Sequence, residues 1–189
     1  MKSRPELKDP DIQFHIAHAT FANPNKRVFD RFPGMTIGPC QLRPESRGHI
    51  HATSPDMAAK PDIQPNFLST RTDCEVHVAG LKIGRQLMAT SIMGPHAAEE
   101  LSPGKGVVDD EALLEHARQT GATLYHPVGT CKMGTDAMAV VDPALKVIGL
   151  DGLRIADASI MPNLISGNTN APTMMIAEKA SDMILADAR

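Results

Sequence analysis

The residues best suited to chemistry lie in two polar segments near the C-terminus. His126 belongs to residues 125–134, Tyr-His-Pro-Val-Gly-Thr-Cys-Lys-Met-Gly, and Asn170 belongs to residues 167–173, Gly-Asn-Thr-Asn-Ala-Pro-Thr. A histidine exchanges a proton near neutral pH, and an asparagine amide donates hydrogen bonds without titrating. Such groups could take a proton from a hydroxyl and stabilise the oxygen anion left behind. Taken alone, however, a single histidine is more often structural, and a Gly/Asn-rich loop is more often only a turn.

Several sequence blocks, in order, resemble the C-terminal region of the glucose-methanol-choline (GMC) oxidoreductases. Two are the segments just described, and a third is the hexapeptide 157–162, Asp-Ala-Ser-Ile-Met-Pro. The upstream blocks are residues 41–48 and 61–73, so the resemblance covers most of residues 35–186. Separate blocks in the right order are more specific than any one short motif. Within the family the sequence is most similar to bacterial choline and primary-alcohol dehydrogenases.

The resemblance implies roles for the two polar residues. It places His126 facing a flavin and Asn170 on the loop before the last helix, with both close to one substrate hydroxyl. His126 would then act as base or hydrogen-bond donor at that hydroxyl, while hydride leaves the alcohol carbon for flavin N5. Asn170 would orient the substrate oxygen or stabilise the alkoxide. The expected activity is FAD-dependent oxidation of the CH–OH group of a primary alcohol or of choline.

The resemblance also implies which residues contact FAD. Asp157, at the end of an expected strand, would approach the ribityl-pyrophosphate part of the cofactor through its backbone. Pro172 would open a helix whose positive N-terminal end lies near the isoalloxazine ring. The full set of expected FAD-binding residues is Asp157, Ala158, Asn170, Ala171, Pro172 and Thr173.

The expected fold class is α+β (mixed α/β), as a fragment of a GMC-type flavoprotein. Residues 1–123 would form part of an antiparallel-sheet substrate lobe, and residues 124–189 would supply the last strand and helix of the FAD lobe. The Gly-x-Gly-x-x-Gly turn that binds the ADP half of FAD does not occur in the sequence. We therefore expect a fragment that lacks an N-terminal FAD-binding region and is inactive alone.

Local patterns predict the elements that would position these residues. Strands are expected at residues 12–21, 35–42 and 48–53, paired as an antiparallel meander, and at 153–157. Apolar residues at helical spacing predict a helix through about residue 92, starting near Val76. A second helix would begin after the N-cap Asp109 and end at Gly121 in the left-handed conformation. The last helix would turn Met175, Ile176, Ala180, Met183 and Ile184 inward.

Composition and charge exclude several classes of function. A net charge of −3, without a basic cluster, argues against a nucleic-acid partner. No apolar run approaches the length of a membrane span, and three widely spaced cysteines indicate reduced thiols. A cytoplasmic location is expected, with peripheral contact to the inner membrane left open. The histidine pairs His15/His18 and His49/His51 lack the further ligands that a metal site needs, so no metal is expected.

Two other functions remain open at the level of sequence. One is a flavin-retaining lyase of the same fold, such as a hydroxynitrile lyase, in which histidine does acid/base work without redox chemistry. The other is a non-catalytic remnant that keeps the fold for binding. The sequence leaves the electron acceptor and the oligomeric state undetermined.

Overall fold

The computed structural model describes residues 1–23 and 28–188, and within them the chain forms short strands and three α-helices. The helices are α1 (Arg71–Met88), α2 (Asp110–Thr120) and α3 (Asn170–Asp187). The strands are β1 (Ile12–Ala17), β2 (Phe21–Asn23), β3 (Val28–Phe29), β4 (Thr36–Gln41), β5 (His49–His51) and β6 (Asp62–Gln64). Short 3₁₀ helices occur at Gly94–His96 and Ala158–Ile160.

The strands of the described residues pair as three separate two-stranded antiparallel sheets. They are β1 with β4, β2 with β3, and β5 with β6. Helices combined with antiparallel strands confirm the predicted α+β class. The chain divides into two compact units, the first formed by residues 1–47 and 66–123 and the second by residues 48–65 and 124–189.

In the first unit, α1 packs against the β1–β4 ladder. The ladder runs from the pair Ile12–Gln41 to the pair Ala17–Thr36. Glycine lets the helix approach β4, because a Cβ on Gly80 would lie 2.6 Å from the Cβ of Pro39. The buried apolar side chains of this unit are Ile12, Val76, Val78, Leu113 and Ala117.

The carboxylate of Asp73, in the first turn of α1, is the polar centre of the first unit. Its side chain is only 2% exposed. It accepts hydrogen bonds from the backbone N–H of Glu45 and of Ser46, both at 2.8 Å, from Gln41 Nε2 at 2.9 Å, and from the Ser46 hydroxyl. The backbone N–H of Asp73 in turn donates to Thr70 Oγ1, which caps the helix. One residue therefore joins the start of α1 to the loop after β4.

The second unit has its own apolar core beneath α3. Its buried members are Val141, Leu145, Ile160, Met161, Ile176 and Ala180. At the far end of α3, the carboxylate of Asp187 pairs with Lys146 at 2.7 Å and with Arg154 at 2.5 Å. The C-terminal end of α3 is thus held by the stretch between residues 141 and 161, which also supplies most of the core.

Two predictions about strands are wrong. The expected meander does not form, because β5 pairs with β6 and not with β4; the Pro-rich segment between β5 and β6 turns the chain back on itself. The strand expected at 153–157 is reduced to an isolated bridge between Lys146 and Arg154. Leu145, which precedes Lys146, has a φ of +64°, and this left-handed conformation prevents a longer ladder.

The helix predictions are confirmed in outline and corrected in detail. Asp109 is the N-cap of α2, as predicted, and accepts a hydrogen bond from Ala112 N–H at 2.9 Å. Gly121 ends α2 in an extended conformation, not a left-handed one; glycine is needed because a Cβ there would lie 2.5 Å from the carbonyl oxygen of Ala117. On α3, Ile176 and Ala180 are buried as predicted, whereas Met175 is 60% exposed and Ile184 is 49% exposed.

The helices of the described residues do not match a membrane span. Not one of them combines the length and the apolar character that crossing a bilayer requires.

The Asp73 network predicts a large effect of a small substitution. Asp73→Asn keeps the shape of the side chain but removes the charge and places amide hydrogens among groups that already donate. We expect the free energy of unfolding to fall by about 2–4 kcal/mol, measured by urea denaturation. The matched control is Glu75→Gln on the same turn, which breaks only the exposed pair with Arg71 and should cost less than about 1 kcal/mol. Equal losses in the two variants would contradict the assigned role.

The same network gives the effect a pH dependence. Burial alone would raise the pKa of Asp73, but the hydrogen bonds from Glu45, Ser46 and Gln41 lower it overall. A lowered carboxyl pKa contributes stability that is complete above the unfolded value of about 3.9 and is lost as the pH falls through the folded pKa. The difference between the parent chain and Asp73→Asn should therefore be largest at neutral pH and should shrink below about pH 4.

Candidate active site

The imidazole of His126 is held on both sides by the loop that precedes α3. Its Nδ1 lies 2.9 Å from Thr169 Oγ1, and its Nε2 lies 2.8 Å from the side-chain nitrogen of Asn168. His126 and Thr169 are 43 positions apart in the chain. The fold therefore brings together the two polar segments that the sequence singled out.

Backbone hydrogen bonds fix the segment that carries His126. The N–H of Cys131 donates to the carbonyl of Ser159 at 3.0 Å, and the N–H of Met133 donates to that of Ile160 at 2.7 Å. Between these bonds and the histidine, Gly129 adopts a φ of +86°. A Cβ at Gly129 would lie 3.2 Å from the carbonyl oxygen of Met161. The segment thus lies directly against the 3₁₀ helix at 158–160.

A charged pair closes the end of the same segment. Lys132 Nζ lies 2.7 Å from both carboxylate oxygens of Asp136. The hydrogen bond from Lys132, together with one from the backbone N–H of Met138, holds the pKa of Asp136 below its usual range. Asp136 is therefore an anion at neutral pH, and it shapes the turn after the histidine segment without contacting the histidine.

The loop before α3 contains one buried polar residue, Thr169. Thr169 is 7% exposed and is the N-cap of the helix, yet its side chain makes no capping hydrogen bond. Its backbone carbonyl accepts from Thr173, from the N–H at 3.0 Å and from the hydroxyl at 2.6 Å. Ser166, at the start of the loop, has a φ of +62°.

Asn170 is the first residue of α3 and is exposed. In the part of the chain that the structure describes, no hydrogen bond joins it to His126. The side chains that contact His126 are those of its two predecessors, Asn168 and Thr169. Whether Asn170 reaches the same substrate oxygen stays a prediction.

The residues expected to contact the cofactor lie on two elements of the second unit. Asp157 is exposed and caps the 3₁₀ helix, accepting from Ser159 N–H at 2.7 Å, and Ala158 follows it half-buried. Ala171 is exposed in the first turn of α3, while Pro172 and Thr173 are half-buried. The side chain of Asp157 is therefore used as a cap of the 3₁₀ helix. A role of its backbone toward a cofactor stays a prediction.

The start of α3 offers two free donors. Among the described residues, nothing accepts a hydrogen bond from the backbone N–H of Asn170 or of Ala171, and Pro172 has no N–H. Since the side chain of Thr169 does not cap the helix, the positive end of its dipole is directed outward. An anionic or carbonyl-rich group placed there would find both donors available.

Sequence reasoning missed Asn168 and Thr169. Both lie inside the 167–173 segment, in which the family resemblance points to Asn170. A threonine directly before a helix is normally interpreted as a cap, and that interpretation hides the contact with His126. A detectable signal was the presence of two further hydrogen-bonding side chains immediately beside the expected one.

Across residues 1–23 and 28–188, no group of three or more His, Cys, Asp or Glu side chains is arranged to hold a metal ion. His49 stacks on His51 with ring centroids 4.8 Å apart and lies 3.0 Å from Asp62 across the β5–β6 hairpin.

Comparison with known proteins identifies the relatives of this chain. The family model described as GMC oxidoreductase matches residues 44–177. An alcohol dehydrogenase [acceptor] from Pseudomonas putida is 43% identical over 98% of this chain and 33% of its own length. An oxygen-dependent choline dehydrogenase from Proteus mirabilis is 42% identical over 97% of this chain, again 33% of its own length. The chain thus spans about a third of the length of these curated relatives.

Solved structures agree with these sequence matches. Pyridoxine 4-oxidase from Mesorbium loti superposes with a TM-score of 0.82 at 28% identity, covering 96% of this chain and 36% of that one. An FAD-dependent oxidoreductase from Chaetomium thermophilum superposes with a TM-score of 0.76 at 26% identity, covering 83% of this chain and 27% of that one.

The close approach at Gly129 predicts a measurable cost for an added methyl group. Gly129→Ala combines a left-handed backbone, worth about 1–2 kcal/mol against alanine, with crowding of the Met161 carbonyl. Gly149→Ala is the matched control, because its φ is +83° and its Cβ would meet nothing within 4 Å. We expect thermal denaturation to show the larger loss of stability for Gly129→Ala. Equal losses would mean that the histidine segment does not depend on this contact.

Proposed function

This chain belongs to the GMC oxidoreductase family, and from that premise we propose that it supplies the proton-handling part of an FAD-dependent alcohol oxidoreductase. The observation that carries the proposal is the hydrogen-bonded position of His126 between Thr169 and Asn168. It gives the family's expected base a fixed orientation beside the start of α3. The complete activity requires elements that this chain does not contain, since it spans about a third of its relatives.

The start of α3 fits contact with FAD. The unoccupied N–H groups of Asn170 and Ala171 can donate to oxygen atoms of a cofactor ring, and the exposed end of the helix favours negative charge there. Asp157 and Ala158, at the start of the 3₁₀ helix, would hold another part of the cofactor through their backbone. FAD, when bound, supplies the acceptor for the hydride of the alcohol. Pro172 and Thr173 would complete this contact in the first turn.

His126 would accept the proton of the substrate hydroxyl at Nε2. In the structure that nitrogen is occupied by the Asn168 amide, a neutral donor that an alcohol hydroxyl can replace without leaving a buried charge. Once the proton is transferred, the imidazolium lies beside the alkoxide and stabilises it. Asn170 would add an amide N–H to the same oxygen, which favours negative charge in the transition state over the neutral alcohol.

An aliphatic primary alcohol is the proposed substrate class, with choline as the second choice. The relatives named above include an alcohol dehydrogenase and a choline dehydrogenase. A quaternary ammonium group is best bound by a cage of aromatic side chains. The chain holds only five phenylalanines and one tyrosine, so it contributes little to such a cage. This composition favours the uncharged alcohol.

The proposed partner is a polypeptide region that provides the nucleotide-binding turn of FAD. The Gly-x-Gly-x-x-Gly sequence that builds such a turn is absent from these 189 residues. The electron acceptor that reoxidises the cofactor is left unassigned. We also infer a cytoplasmic location from the free thiols of Cys40, Cys74 and Cys131, which fractionation of expressing cells would test.

A chimera tests the proposal directly. In the Pseudomonas putida alcohol dehydrogenase, the third that aligns with this chain would be replaced by residues 1–189, and the FAD-loaded chimera would be mixed anaerobically with primary alcohols and with choline. We expect the flavin absorbance to bleach with at least one alcohol. His126→Ala should slow the bleaching by roughly 10²–10⁴-fold, because the hydroxyl proton loses its acceptor.

The control for this experiment is His51→Ala, which removes an exposed imidazole from the β5–β6 hairpin. It should bleach at the rate of the parent chimera. Bound FAD that no alcohol bleaches would contradict the oxidoreductase proposal and favour a lyase or a remnant. Equal bleaching by the parent and by His126→Ala would move the chemistry to another residue.

Asn170 is tested by two substitutions in the same chimera. Asn170→Ala removes one donor to the developing oxygen anion and should lower the rate of flavin bleaching by roughly 10–10³-fold. Asn170→Asp should be slower still, because a carboxylate cannot donate and repels the alkoxide. Rates would be measured by stopped-flow absorbance at saturating alcohol. A faster Asp than Ala variant would show that Asn170 acts in some other way.

A further inference from the structure

Thr169 uses its side chain in an unusual way for its position. A threonine before the first residue of a helix ordinarily accepts a hydrogen bond from a backbone N–H of the first turn. Thr169 makes no such bond, although it is the N-cap of α3 and is 7% exposed. Its hydroxyl is instead directed to Nδ1 of His126 at 2.9 Å. The hydroxyl of Thr169 therefore contacts the imidazole of His126 and does not cap the helix.

The two contacts of the imidazole together define its tautomer. The side-chain nitrogen of Asn168, 2.8 Å from Nε2, can only donate. Nε2 must therefore accept, and a neutral ring then carries its proton on Nδ1. The Nδ1–H group donates to Thr169 Oγ1, which leaves the Nε2 lone pair as the basic site.

The backbone that carries the Thr169 hydroxyl is held by hydrogen bonds. The backbone carbonyl of Thr169 accepts from both the N–H and the hydroxyl of Thr173, and the residue is buried at the base of the loop. Among the described residues no carboxylate contacts His126, so the hydroxyl is the group that orients Nδ1. Orientation of a catalytic imidazole through its second nitrogen is a general requirement for a histidine base.

We propose that Thr169 is a positioning residue that keeps the proton of His126 on Nδ1 and so directs Nε2 to the substrate hydroxyl. The inference rests on the proposed function, because the proton acceptor is His126. In the step itself the alcohol O–H bond breaks and an Nε2–H bond forms. The electron pair of the broken bond stays on the oxygen, and the new imidazolium keeps its Nδ1–H bond to Thr169. Loss of the hydroxyl should leave His126 in place but free to carry its proton on either nitrogen.

The tautomer can be measured without cofactor or substrate. Residues 1–189 would be labelled with ¹⁵N-histidine and recorded by long-range ¹H–¹⁵N correlation at about pH 8.5, roughly two units above the ordinary imidazole value. The resonances of His126 are identified by their loss in His126→Ala. We expect the Nδ1–H tautomer in the parent chain and in Thr169→Ser, and a shift toward the Nε2–H tautomer in Thr169→Val.

Ser181→Ala is the control for these spectra. It removes a hydroxyl from the same helix, one that bonds only the carbonyl of Ala177, and should leave the His126 signals unchanged. An Nε2–H tautomer in the parent chain would overturn the inference. So would a Thr169→Val spectrum identical to that of the parent.

A kinetic readout separates this inference from the proposed function. In the FAD-loaded chimera, Thr169→Val should slow alcohol-dependent bleaching by roughly 10–100-fold with little change in the KM for the alcohol, and Thr169→Ser should restore most of the rate. If the spectra show the expected tautomers but no alcohol bleaches the flavin, Thr169 still orients His126 and the proposed function fails. If the parent chimera bleaches and Thr169→Val bleaches equally fast, the positioning role fails and the proposed function stands.

Discussion

The hydrogen bonds that the backbone of Cys131 and Met133 donates to the 3₁₀ helix at 158–160 are the contacts on which the candidate site depends. They attach the His126 segment to residues whose neighbours, Ile160 and Met161, belong to the buried core of the second unit. Helix α3 packs on the same core through Ile176 and Ala180. The histidine segment and α3 therefore both pack on the same buried core. This core sets the position of the histidine relative to the loop before α3.

Two residues close to the candidate site adopt a backbone conformation that costs free energy. Tyr125 and Ser166, the residues just before the two contributing segments, both have a φ of +62°. A left-handed backbone at a residue other than glycine costs about 1–3 kcal/mol and persists only where the surroundings determine it. The buried core and the backbone bonds at 131–133 supply that determination. The uncapped start of α3 is a further departure from the most stable local structure, and it leaves two N–H donors open beside His126.

The sequence predicted the starts of the helices better than the pairing of the strands. Asp109 as the cap of α2 and a proline in the first turn of α3 follow from local rules, and both are present. The pairing of β5 with β6 does not follow from such rules, because strands of three residues carry almost no register information. Residues 153–157 have the composition of a strand, but the left-handed Leu145 in the neighbouring segment prevents the ladder, and composition does not reveal that conformation.

The same limit applies to the site. Types and spacing singled out His126 and the 167–173 loop, and the resemblance to a family placed them together. Which side chains of the loop touch the imidazole depends on whether Thr169 caps α3 or turns away from it. Thr169 is buried, and its hydroxyl contacts Nδ1 of His126 and not a backbone N–H of α3. Local preference favours the cap, so only the folded chain reveals the contact with Nδ1.

The orientation of His126 depends on contacts within one part of the chain. The contacts that orient His126 all lie within the second unit and involve only Asn168, Thr169 and the backbone that supports them. They are made by this chain's own residues. In the proposed function, His126 is therefore a base whose imidazole is already oriented by contacts within this chain. Under that proposal, a bound cofactor would supply the hydride acceptor, and the fold of these residues would orient the proton acceptor.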